Sequence, residues 1–210
     1  MDWSAWHDEY DDPGSVLSQR LKVVQSQLRS ALEDCAAGPL RIVSLCAGQG
    51  RDVLEVLADH PRRGDVHARL VELDPEIADG AASAARALGL DQVEVRAGDA
   101  ALIDQYAGMV PADIVLACGI FGNISDEDIR RMIAAFPQLC RSGAPVIWTR
   151  HRDDPDLVPE ICSWFESRDF ERLYLSDPAV GFGVGVHRYT GAPEPLVPGT
   201  HLFTFRRYQP

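Results

Sequence analysis

The chain lacks any apolar run long enough to cross a bilayer as a helix, which needs roughly 20 such residues. It also lacks the cysteine spacing of a scaffold. The five cysteines, Cys35, Cys46, Cys118, Cys140 and Cys162, are odd in number and never fall as Cys-x-x-Cys, so neither a disulfide framework nor a zinc cluster is supported. No metal is expected. Net positive charge is missing too: the formal net charge is −12. Phosphate binding is mostly electrostatic, so this balance disfavours nucleic acid as a partner. The arginine pairs Arg62-Arg63, Arg130-Arg131 and Arg206-Arg207 are scattered rather than gathered. The segment Met1 to Glu9 is acidic and has neither the basic nor the apolar region of a signal peptide, so a cytoplasmic location is the default expectation. Two nucleotide signatures are absent as well. A dinucleotide fingerprint needs a third glycine where Val53 stands, and no Gly-Lys-Ser/Thr follows the glycine turn.

What is present is the composition of an ordinary globular protein, on a length that suits one domain. Leu17, Leu21, Val24, Leu28, Ala31 and Leu32 recur at three and four, which predicts a helix over about 15–35. Strand and helix patterns then alternate. Strands are expected at about 40–46, 67–72, 92–96, 113–117 and 145–149. Helices are expected at about 51–59, 75–88, 126–139 and 155–167, with a short one near 100–106. After Phe170 the period changes to two, over about 171–176, 183–189 and 201–207. Five strand–helix repeats predict an α/β fold: a doubly wound, mostly parallel sheet with helices on both faces and antiparallel strands at the C-terminal edge. The first helix adds an N-terminal helical extension.

The run Arg41 to Leu54 concentrates the functional signal. It passes from an apolar strand through Gly48 and Gly50 into a helix start. Glycine lets the backbone approach a ligand closely, and a helix N-terminus offers free N–H groups. This segment resembles motif I of the class I S-adenosylmethionine-dependent methyltransferases, which runs acidic-x-Gly-x-Gly-x-Gly. Here it reads Ser44-Leu45-Cys46-Ala47-Gly48-Gln49-Gly50, with Ser44 in place of the acid and Cys46 in place of the first glycine. The resemblance implies a cofactor-binding domain over 38–210; the segment and helix over 1–37 lie outside the shared core and either form a lid or pack on the domain. It also implies S-adenosylmethionine as cofactor.

In an open doubly wound sheet, ligands bind beyond the carboxyl ends of the strands. The candidate cofactor residues therefore follow strands. They are Ser44, Cys46, Ala47, Gly48 and Gly50 after the first, and Glu72, Leu73 and Asp74 after the second. Gly98, Asp99 and Ala100 follow the third, and Cys118 and Gly119 the fourth. Glu72 stands about where a ribose-binding acid is expected, and its oxygens can accept both hydroxyl protons. The resemblance puts the family's ribose acid there too. Asp74 either flanks the adenine or caps the next helix. Asp99 either meets the adenine amino group, as the resemblance implies, or caps as well.

The resemblance implies methyl transfer from a sulfonium, an in-line displacement catalysed chiefly by positioning. A general base is needed only for an acceptor such as a hydroxyl. Candidate bases are His151 and His187, with His7 a third. Candidate substrate contacts are Tyr10, Phe121, Asn123 and His151. The Pro-Cys of pyrimidine methylation is absent, since Ala117 precedes Cys118, and so is Asn-Pro-Pro-Tyr/Phe. The loop from Cys118 to Phe121 looks like that of small-molecule methyltransferases. Asp153-Asp154 reads as a solvated pair rather than metal ligands. Trp3, Trp6, His7 and Tyr10 form either a lid or a packed anchor, and Arg20 is either a partner for the cofactor carboxylate or a surface residue. The alternative to an enzyme is a cofactor-binding protein without turnover, or a partner subunit, as the departures at Ser44 and Cys46 allow. Membrane attachment is not expected, and oligomeric state is not legible.

Overall fold

A computed structural model describes residue 12 and residues 14–206. Five strands, β1 (Leu40–Leu45), β2 (Val66–Glu72), β3 (Val93–Ala97), β4 (Ile114–Ala117) and β5 (Pro145–His151), run parallel. Then β6 (Phe170–Leu175) and β7 (Phe182–Tyr189) follow, with β7 antiparallel to both β5 and β6. The sheet order is β3-β2-β1-β4-β5-β7-β6. The chain leaves β1 toward β2 on one side and later returns to β4 on the other. Between those crossovers a crevice opens at the carboxyl ends of β1 and β4.

Central strands covered on both faces read as continuous apolar runs, as Ile114 to Ala117 does; all four are buried. On one face lie α1 (Val16–Asp34), α2 (Arg51–Asp59) and α3 (Pro75–Ala87). There Val24, Leu28 and Leu32 pack with Val53, Leu57, Ile42 and Leu116. On the other lie α4 (Asp126–Ala135) and α5 (Val158–Glu166), whose Ile129, Met132 and Phe165 pack against Val146 and Trp148. Side chains also tie α1 to α2. Gln25 Nε2 donates to Glu55 Oε2 at 2.7 Å and Arg29 pairs with Asp59 at 2.7 Å. Caps fix the helix starts that matter for the site. Ser15 Oγ accepts from the Ser18 N–H, and Asp74 Oδ1 accepts from the Glu76 N–H.

The expected layout is the one observed, with four differences. The short helix expected near 100–106 is a 3-10 turn over Ile103–Tyr106. The helix expected to reach 139 ends at Ala135, because Phe136–Gln138 tightens into a 3-10 turn around Pro137, which has no N–H to give. The helix expected from 155 begins at Val158, where Asp156 Oδ1 accepts the Val158 N–H. Of the strand expected at 201–207, the described part, 201–206, is a strap instead. It makes one bridge, His201 to Leu102, and N–H groups along it go to loops and to the first turn of α4. Leu202 donates to Ala101 O, Thr204 to Asp128 Oδ2 and Arg206 to Asn123 O.

Candidate functional site

Beyond β1 the chain must reverse sharply to enter α2. It does so through Cys46, Gly48 and Gly50, with φ of 51°, 55° and 68°. Gly50 is required by packing, since a Cβ there would lie 2.6 Å from Leu70 Cδ2. Cys46 holds a left-handed conformation that costs an L-residue about 1–2 kcal/mol. The turn is tied to the end of β2 by Glu72. The Gly48 N–H donates to Glu72 Oε2 at 2.8 Å, and the Asp74 N–H donates to Oε1 at 3.0 Å. Each oxygen keeps acceptor capacity for another donor.

After β4, Gly119 turns the chain with φ of 73°, and its N–H donates to Thr149 Oγ1 on β5 at 2.8 Å. A Cβ on Gly119 would meet no atom within 4 Å, so the backbone there borders open space. That space is a pocket of about 400 Å³, within the range of small-molecule sites. The pocket is walled by Cys46, Ala47, Gly48 and Gln49, by Glu72, Leu73 and Asp74, and by Cys118, Gly119 and Thr149. Arg51, Asp52, Ile77, the α1 residues Arg20, Leu21 and Val24, and Phe205 of the strap complete it.

Eight of the residues expected to hold a cofactor thus share one pocket: Cys46, Ala47, Gly48, Glu72, Leu73, Asp74, Cys118 and Gly119. Asp74 both lines it and caps α3. The others sit elsewhere. Ser44 is buried within β1 beneath the turn. Gly50 starts α2 against Leu70, and Gly98 packs on Gln105. Asp99 Oδ1 accepts from the Ala101 N–H, the capping role, and Ala100 is buried in the core. Burial pushes the Cys118 thiol well up, with the Asp52 charge adding to it, so Cys118 does not ionise as a nucleophile would.

Among the expected substrate and base residues the structure makes corrections. Phe121 is fully buried on the far side of the sheet, 5.7 Å from Trp148 between ring centroids, because the Gly119 turn sends the loop away from the pocket. Asn123 closes that loop, its Nδ2 donating to Gly119 O at 2.8 Å. His187 is 0% exposed, accepts at Nδ1 from Trp148 Nε1 at 3.0 Å and stacks on Phe165. Burial pushes its pKa down to about 3, so it is a neutral core group out of reach of any acceptor. His151 ends β5 two residues beyond Thr149 and so on the same face; its ring packs over Gly122 with Nδ1 3.2 Å from Asp153 Oδ2. Tyr10, His7, Trp3 and Trp6 lie outside the described residues. Among the described residues no three metal-ligating side chains gather, and no helix is long and apolar enough to cross a membrane.

Local sequence reading passed over Asp52, Thr149, Ile77 and Phe205. Only Asp52 carried a signal, an acid in the first turn of the helix that follows the glycine turn.

A family model described as "Putative methyltransferase" matches residues 15–162. Among solved structures, an O-methyltransferase family protein from Burkholderia thailandensis is 16% identical with a TM-score of 0.68. The match covers 92% of this chain and 62% of that one, so the chain spans less than two thirds of that protein. The 1,6-didemethyltoxoflavin-N1-methyltransferase of Burkholderia thailandensis, solved with its substrate and S-adenosylhomocysteine, is 17% identical over 90% of this chain and 87% of its own, with a TM-score of 0.63. An RNA methyltransferase from Salinibacter ruber in complex with S-adenosylhomocysteine is 19% identical over 84% and 96%, with a TM-score of 0.54. No curated protein matches the sequence.

Proposed function

This chain belongs to the methyltransferase family whose model it matches, and from that premise we propose that it transfers the methyl group of S-adenosylmethionine to a small-molecule acceptor. The observation that carries this reading is Glu72. Its carboxylate anchors the glycine turn through the Gly48 N–H while facing the pocket with acceptor capacity to spare. That is the arrangement a vicinal diol needs. The empty space over Gly119 and the volume of the pocket support the same cofactor, and similar folds hold S-adenosylhomocysteine.

The cofactor supplies a methyl group on a sulfonium, a leaving group that needs no protonation. The chain's own residues bind and aim. Glu72 takes the ribose hydroxyls, and Leu73 and Ile77 supply apolar wall beside it. Backbone from Cys46 to Gly48 and at Gly119 borders the rest of the pocket, and the Thr149 hydroxyl fixes Gly119 in place. His151 does not itself line the pocket, but it ends β5 two residues beyond Thr149, which does, and its partly exposed ring is our candidate to accept a proton from a hydroxyl acceptor.

A small acceptor is favoured over nucleic acid by the net charge of −12. The test is methyl transfer from labelled S-adenosylmethionine, offered in parallel to a metabolite extract and to total RNA. Label in low-mass products supports the proposal. Label confined to RNA contradicts the small acceptor, and label in neither contradicts turnover.

A further inference from the structure

One group in the pocket has no counterpart in the roles above. Asp52 lies in the first turn of α2, is 9% exposed, and lines the pocket. Its Oδ1 accepts the Val53 N–H at 2.9 Å. Beyond the Val53 N–H and its own backbone N–H, the carboxylate meets no donor, and no ion pair forms on it, among the described residues. A carboxylate buried without a cation is costly unless something compensates it. Nearby, Arg20 of α1 also lines the pocket, without an ion pair among the described residues. α1 packs along α2, with Gln25 Nε2 donating to Arg51 O at 3.1 Å, so Arg20 and Asp52 line the cavity from the same pair of helices. Glu72, Asp74 and Ile77 belong to the β2 end.

We infer that Asp52 is the counterion for the α-ammonium group of the bound cofactor and that Arg20 faces its α-carboxylate, so that this end of the pocket recognises an amino-acid zwitterion. The inference rests on the reading of the pocket as an S-adenosylmethionine site. An acid is missing at Ser44, where the resembling motif has one, and Asp52 supplies a negative charge to the pocket from eight residues further on.

A proton follows from this assignment. Burial pushes the Asp52 carboxyl up to about 6, and the Glu55 charge on the same helix adds to the shift. A cation seated against it favours the ionised form. Binding therefore releases a proton wherever the free carboxyl is protonated. Affinity is flat above about pH 7 and falls, approaching tenfold per pH unit, below about pH 6. The other titratable groups that line the pocket are Arg20 of α1, Arg51 of α2, Cys46 in the glycine turn and Cys118 just after β4, both thiols pushed up by burial, while Glu55 lies one turn on along α2. Glu72 and Asp74 line the pocket from the end of β2, and Thr149 and Phe205 carry no charge.

The experiment is calorimetric titration of the full chain with S-adenosylhomocysteine between pH 5 and 8, in two buffers of different ionisation enthalpy. The second probe is 5′-methylthioadenosine, the same nucleoside without the amino-acid end. For wild type, proton release on binding S-adenosylhomocysteine should appear below about pH 6.5 and be absent with 5′-methylthioadenosine. Asp52→Asn keeps an acceptor for the Val53 N–H. It should weaken S-adenosylhomocysteine about ten- to hundredfold at pH 7.5, remove the pH dependence, and leave 5′-methylthioadenosine within twofold. Wild-type binding without proton release overturns the inference by itself, even if the variant fails to fold. Equal weakening of both probes in folded Asp52→Asn also overturns it, by making Asp52 structural. Failure of wild type to bind either probe overturns instead the cofactor reading beneath it.

Discussion

At the scale of single residues, the pocket depends on carboxylates whose partners are backbone N–H groups. Glu72→Ala removes the acceptors from Gly48 and Asp74 as well as from the ribose. It should weaken S-adenosylhomocysteine by about 1.5–3 kcal/mol, the range for hydrogen bonds to a charged group. Cys46 is the other test at this scale. Its φ of 51° is a conformation that glycine adopts without penalty. Cys46→Gly relieves about 1–2 kcal/mol of backbone strain but adds about 0.5–1 kcal/mol of entropic cost. The variant should therefore unfold within about 1 kcal/mol of wild type in urea and bind the cofactor undiminished. A large loss of binding would mean that the sulfur, not the turn, is what the pocket uses. Glu72, Gly48 and Cys46 were legible because the turn and the strand end before Glu72 are local features. The inward face of Phe121 was not, since one glycine decides which side of the sheet the loop takes.

At the scale of elements, the strap and α1 build walls that no local pattern announces. The alternation reflects anchoring, not pairing: Leu202 and Phe203 are buried in the core, while the partly buried Phe205 rests on its edge, 5.2 Å from Phe203 between ring centroids, and lines the pocket. Phe203→Ala should cost about 3–5 kcal/mol of stability, as for a buried aromatic. Phe205→Ala should cost about 1 kcal/mol or less and change turnover instead. Urea denaturation and steady-state kinetics on both variants separate the two roles, and equal stability losses would refute the division. His187 shows the same limit on legibility. A histidine on a late strand looks equally like a base or a core group until β7 is seen between β5 and β6, with its ring under Trp148 and Phe165.

For the whole molecule, the buried His187 ties stability to pH. Unfolded, its ring takes up a proton below about pH 6.5; folded, it does so only near 3. Between those values the unfolded state binds more protons. The contribution is thus fully present above the unfolded pKa and is lost as pH falls, by up to about 1.4 kcal/mol per unit. His187→Asn keeps an acceptor for Trp148 Nε1 and should reduce the stability difference between pH 7 and pH 5 by about 2 kcal/mol, read from urea midpoints. An unchanged difference would locate the pH sensitivity elsewhere. The alternation of strands and helices made this architecture readable from the chain, because each period change marks a boundary. The pocket was only partly readable, since seven of the seventeen residues that wall it come from α1, α2, β5 and the strap, brought together by the fold. The central claim is that the cavity at the ends of β1, β2 and β4 binds S-adenosylmethionine with Glu72 on the ribose. Its most direct test is calorimetry of S-adenosylhomocysteine against wild type and Glu72→Ala at pH 7.5. One-to-one binding to wild type, weakened about ten- to hundredfold in the variant, is the predicted result; no binding to wild type, or a loss under twofold in a folded variant, contradicts it.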